Sequence, residues 1–181
     1  GRTGGNLATT VRETDVLICV HGVTRVADDF DAVALSLSSH YRVVCPYVVG
    51  RGYSGRLRNP LHYQLPQYVS DMVTLLARLQ ATTVDWLGTS MGGLIGMGIA
   101  SLEGNPIRKL ILNDVGPELN PEALLRIGTY IGEDLQFRTF EEAAAYIKTI
   151  SLSFGEHTEA QWSKLAHDVL RQTSDGHWRK Q

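Results

Sequence analysis

The chain predicts an α/β fold, a parallel-rich sheet with flanking helices followed by a helical cap. Three observations carry this. Apolar β-type runs alternate with helical runs as far as residue 112, the order that lays a parallel sheet between helices. The first run, Val16-Leu17-Ile18-Cys19-Val20, is apolar throughout, as in a strand covered on both faces. After Asp114-Val115-Gly116-Pro117 no β-type run follows, and only helical signals remain. The expected division is an incomplete α/β core over 1–116 and a helical cap subdomain over 117–181.

The elements follow in order. His21-Gly22 ends the first strand. Residues 29–37 are weakly helical, with Phe30, Val33, Ala34 and Leu37 at helical spacing. A second strand over 41–45 is closed by Pro46, and a loop rich in Gly and Arg runs over 49–59. From Pro66 onward, Val69, Met72, Val73, Leu76 and Leu79 recur every three or four residues, an amphipathic helix with proline in its first turn. Then come a strand over 83–87, a turn at Ser90, a helix over 91–102 and a strand over 108–112. Further on, Thr139-Phe140-Glu141-Glu142 has the T-x-x-E form of a capping box and leads into a helix through 150. Thr158 and Gln161 repeat the device, before an apolar stripe of Trp162, Leu165, Ala166, Val169 and Leu170. The region from Pro121 is expected to be all-helical. No internal repeat or low-complexity segment interrupts the pattern.

Composition narrows the function. The 181 residues are 43% hydrophobic and 20% charged, ordinary for one sizeable core. Seventeen Lys+Arg against 19 Asp+Glu give a net charge of −2, so no basic surplus suggests nucleic acid. No apolar stretch approaches the roughly 20 residues that span a bilayer, and the first residues lack the apolar centre of a signal peptide. Cys19 and Cys45 each lie in an apolar run and read as buried thiols of a reducing compartment, hence a cytoplasmic expectation.

Gly88-Thr89-Ser90-Met91-Gly92 carries the chemistry. It follows a strand and opens a helix, the context in which G-x-S-x-G holds a serine clear of the sheet on a sharp turn. Ser90 is the candidate nucleophile, and it needs a neighbouring base. The N–H of Met91, at the helix head, is one candidate oxyanion donor. The N–H of Val23, in the loop after the first strand, is the other, with Gly22 allowing close approach. Gly88 and Gly92 let the chain fold tightly around the serine, and His21 supports the facing turn.

These marks resemble the α/β-hydrolase fold family in its cap-bearing serine hydrolase branch. His21-Gly22, Pro46 with Gly50-Arg51-Gly52-Tyr53-Ser54, the Ser90 motif and Leu112-Asn113-Asp114-Val115-Gly116-Pro117 stand in the family's order. The resemblance implies a Ser–His–acid triad, no metal, no organic cofactor, and a pocket for a small acyl substrate between sheet and cap. Charge and hydropathy, for their part, lead us to expect no nucleic-acid or membrane partner. Tyr47 and Gly55 stand where the family usually has aspartate, which predicts that Arg51 and Arg56 lack partners. Arg25 is expected to be solvated or paired with Asp28 or Asp29, with a substrate carboxylate as the alternative.

The family's acid and histidine come late in its chain, and nothing here matches them. His157, His167 and His177 read as polar residues of the cap that follow no strand, His21 as structural, and His40 and His62 as loop residues. Asp114, just past a strand end, is a candidate acid, with a turn-capping role the favoured reading. The expected molecule is thus the front of a serine hydrolase plus its cap. It should cleave carboxylic esters through an acyl-enzyme on Ser90, and as given be crippled. An uncovered sheet edge predicts that it forms a homo-oligomer or pairs with a missing C-terminal segment. The alternatives are an acyltransferase or carbon–carbon bond hydrolase using the same turn, and a non-catalytic binding module.

Overall fold

The structure, a computed structural model, describes residues 15–122, 125 and 134–181.

Four parallel strands form the main sheet: β1 (Val16–Val20), β2 (Arg42–Val44), β3 (Val84–Thr89) and β4 (Ile107–Asn113), in the order β2-β1-β3-β4. Helices α1 (Asp31–Leu37), α2 (Leu65–Leu79) and α3 (Met91–Ala100) make the crossovers between consecutive strands. All five residues of β1 are buried, as its unbroken apolar run requires. On one face Val16, Ile18, Val20, Val84 and Trp86 pack against Tyr68, Met72 and Leu76 of α2 and Ile95 and Ile99 of α3. On the other, Leu17 and Cys19 pack with Phe30, Val33 and Leu37 beside α1. Alternate residues of one strand thus feed two apolar layers, the period-two logic of a two-sided sheet.

Strand ends run further than the sequence suggests. Pairing with β4 continues through Gly88 to Thr89, opposite Asn113, so the sheet holds the chain up to the residue before Ser90. The helix after it stops at Ala100. A 3-10 turn, Ala27–Phe30, precedes α1 and accounts for the weak helical signal there.

Two further helices, α4 (Phe140–Ile150) and α5 (Glu159–Val169), pack together through Ala143, Ile147, Ala166 and Val169. Val26, from the loop after β1, joins this cluster, so the helical layer sits on that loop. Lys164 fastens it by donating to the Asp28 carbonyl and pairing with Asp31 at 3.0 Å. Thr158 and Gln161 form the full capping box that the sequence predicts for α5. At α4 only half the box forms: Thr139 caps Glu142 N–H, but the Glu142 carboxylate reaches one residue further back, to Arg138 N–H.

The expectation of an all-helical region after Pro121 is overturned. Strands β5 (Leu170–Gln172) and β6 (Trp178–Lys180) form an antiparallel hairpin, and Phe137 bridges to Trp178. Each strand is three residues long, too short to show a two-residue alternation. The hairpin is held instead by Leu170, 1% exposed, and by Trp178 packing edge-on to Phe140. His177, expected to follow no strand, lies in the turn after β5.

Candidate active site

The strand order reverses between β1 and β3, because the chain moves to one side after β1 and returns to its other side at β3. In open parallel sheets that switch point leaves a crevice at the carboxyl ends of the two strands, where ligands bind. The two loops leaving it are His21-Gly22-Val23 and the Ser90 turn.

Ser90 has φ 51° and ψ −115°. A non-glycine residue there lies outside the ordinary backbone regions and costs roughly 1–3 kcal/mol, a strain that persists only where the surroundings impose it. They do so closely. Ser90 N–H donates to the Asn113 carbonyl at 2.9 Å, tying the turn to β4. Its own carbonyl accepts from Gly93 and Leu94 as α3 begins. A Cβ on Gly88 would stand 2.3 Å from the Gly92 carbonyl oxygen, and one on Gly92 would stand 2.0 Å from that of Val20. Backbone meets backbone at both places, so neither contact could relax for a larger residue. Ser90 is only partly buried.

The facing loop lies against it. A Cβ on Gly22 would be 3.6 Å from Ser90 Cβ. The Gly22 carbonyl accepts from Arg25 N–H at 3.2 Å and pairs with His21 Nδ1 at 2.7 Å. His21 Nε2 accepts from Val48 N–H at 3.0 Å, which places the ring proton on Nδ1 and makes that nitrogen the donor. Across the planar trans peptide, Val23 N–H points opposite to the Gly22 carbonyl. The two bonds that hold the carbonyl therefore also aim the Val23 N–H. Arg51 Nε fixes the other side of the residue by donating to the Val23 carbonyl at 3.0 Å. Met91 N–H stands at the head of α3, among the amides a helix leaves without an internal partner.

His21 is 1% exposed, and burial holds its pKa down to about 4, so the ring is neutral and structural, as expected. Arg25 pairs with Asp29 at 2.6 Å and is not a free carboxylate receptor. The expectation that Arg51 lacks partners is corrected. Besides the Val23 carbonyl, it donates to the Val49 carbonyl and to Tyr68 Oη, and lies over the rings of Tyr63 and Tyr68. Tyr47 in turn donates to Asp28 at 2.7 Å; burial, reinforced by that carboxylate, pushes its pKa up. Arg56 is exposed.

Asp114 is exposed, at φ 55°, and lines a cleft of about 820 Å³ with Thr89, Asn113, Ile111, Phe154 and His157; no hydrogen bond joins it to that histidine. Among the described residues no histidine hydrogen-bonds Ser90 Oγ. His40 pairs with Ser39, His157 with the Gly155 carbonyl, and His177 with Asp175; His167 stacks on Phe140. Among the described residues no group of three or more His, Cys, Asp or Glu could hold a metal ion, and no helix is long and apolar enough to cross a membrane.

A serine held at positive φ between a strand's end and a helix's start, at the switch point of a parallel sheet, is the strand–turn–helix elbow of α/β proteins. The chain belongs to the α/β-hydrolase fold family, whose model matches residues 15–181. It is 58% identical over 163 residues to a 3-hydroxybutyrate-oligomer hydrolase of Cupriavidus necator, an alignment covering 89% of this chain and 56% of that protein. A 2-hydroxy-6-oxo-2,4-heptadienoate hydrolase of Pseudomonas putida is 32% identical over 100 residues, 53% of this chain and 36% of its own. Among solved structures, an α/β hydrolase from Novosphingobium aromaticivorans superposes with a TM-score of 0.86 at 34% identity, covering 93% of this chain and 60% of that one. The chain thus spans little more than half the length of the first of these relatives.

Proposed function

We propose that the protein is a serine hydrolase that cleaves ester bonds in short oligomers of hydroxy acids. The observation that carries this is the strained Ser90 at the crevice, facing a Gly22 turn where an added Cβ would stand 3.6 Å from Ser90 Cβ. Ser90 Oγ attacks the ester carbonyl while a base takes its proton. The oxygen that becomes negative is held by Val23 and Met91 N–H, each worth about 3 kcal/mol in the transition state. The alcohol end of the oligomer leaves with the proton, and water then frees the acid from Ser90. A histidine is the base this chemistry calls for, and among the described residues none hydrogen-bonds Ser90 Oγ. The substrate class is drawn from the 3-hydroxybutyrate-oligomer hydrolase, with which this chain shares more than half its residues over that alignment.

A fluorophosphonate probe and a 3-hydroxybutyrate trimer test the reading on the whole protein. Labelling of Ser90 with release of monomer is expected, and both should vanish in Ser90→Ala. Labelling without trimer cleavage would move the substrate elsewhere. The similarity to the heptadienoate hydrolase favours a second reading, carbon–carbon bond cleavage from the same turn. Turnover of a vinylogous diketone in place of the trimer would select it.

A further inference from the structure

The chain's two cysteines lie in one apolar layer, Cys19 in β1 and Cys45 one residue past the end of β2. The β1–β2 register runs Val16↔Arg42, Leu17↔Val43, Ile18↔Val44, and its next step sets Cys19 opposite Cys45. Adjacent strands lie about 4.8 Å apart, inside the Cα separation of about 4.4–6.8 Å that a disulfide tolerates. Both side chains belong to the same apolar layer, with Leu17, Phe30 and Val43. Cys19 is fully buried and Cys45 half-buried, so reagents reach the pair from the Cys45 side. We propose that Cys19 and Cys45 form a redox-modifiable dithiol that closes to a cross-strand disulfide by exchange with small-molecule disulfides.

The two thiols influence one another's ionisation: their interaction lowers the Cys45 pKa and, with burial, raises that of Cys19. Asp31 of α1 is the carboxylate that opposes ionisation of Cys45. The roles follow from this asymmetry. The Cys45 thiolate attacks one sulfur of the small disulfide, forms a mixed disulfide and expels one thiolate. Cys19 then gives its proton to water and attacks the Cys45 sulfur, and the second small thiolate leaves. Two protein thiols are oxidised to one disulfide, and one small disulfide is reduced to two thiols. Cys19 lies two residues before His21, and Cys45 three before Val48, so the link would sit directly beneath the His21–Val48 hydrogen bond.

The test uses the reduced, native 181-residue chain and oxidised glutathione, quenched in acid, alkylated and digested. Expected are a Cys19–Cys45 linked peptide, an intact mass lower by two hydrogens with no glutathione retained, no cross-linked dimer, and full reversal by dithiothreitol. In Cys19→Ala the glutathione should stay on Cys45, and in Cys45→Ala the native protein should resist modification. Wild-type protein that keeps glutathione on Cys45 as the Cys19→Ala variant does, that leaves both thiols free, or that links between chains would overturn the proposal. The wild-type arms decide the matter even if a variant fails to fold.

Discussion

At Ser90 the backbone is held where serine does not rest, and its removal should show this directly. Glycine relaxes a positive φ, so Ser90→Gly should stabilise the fold by about 1 kcal/mol, after allowance for the freedom glycine adds to the unfolded chain. In the whole protein the same change should lower ester turnover by about 10⁴- to 10⁶-fold, the usual cost of losing a triad nucleophile. A raised urea midpoint with abolished probe labelling is the expected pair of results. An unchanged or lowered midpoint would mean that the turn stores no strain. His21 makes a different prediction. Its folded pKa, about 4, lies below the ordinary value of about 6.5. Above pH ~6.5 the ring is neutral in both states, and its contribution is complete. Between about 6.5 and 4 the unfolded chain binds the proton first, so stability falls as the pH falls, by about 3 kcal/mol in all. Urea midpoints across that range, with the ring followed by NMR, check it; a ring titrating near 6.5 in the folded protein would refute it.

The elements divide into those that rest on local pattern and those that rest on contact. The Ser90 motif, the α2 stripe and the α5 capping box were legible because each is a spacing along one segment. β5 and β6 were not, because three residues carry no period and their support comes from Phe137 and Phe140, more than 30 residues upstream. The partners of Arg51 were hidden for a related reason. They are backbone carbonyls and ring faces, which leave no charge pattern to pair against. The missing family aspartates therefore pointed the wrong way. Two substitutions separate the classes. Gly92→Ala drives a methyl group into the Val20 carbonyl and should cost more than about 3 kcal/mol, since both sides are backbone. Thr158→Ala removes one cap from α5 and should cost about 1 kcal/mol. Thermal melts of both variants measure the contrast, and near-equal losses would show that the turn adjusts more freely than its geometry indicates.

Over the whole molecule, the sheet is well covered on one side of β1 and poorly covered at β4. Among the described residues β4 pairs only with β3, and Ile111 is 51% exposed on the face it shares with the half-buried Leu87. An open parallel edge beside an uncovered apolar face invites association, since unpaired amides and apolar area are both relieved by a second strand or surface. The 181-residue chain should therefore self-associate at micromolar concentrations. Ile111→Lys places a charge on that face without touching Ser90 or the loop after β1, and should shift the chain toward monomer. Sedimentation velocity over a concentration series reads both effects. A wild-type chain that stays monomeric throughout would show that the β4 side needs no cover. An Ile111→Lys chain that associates equally well would move the contact to another surface.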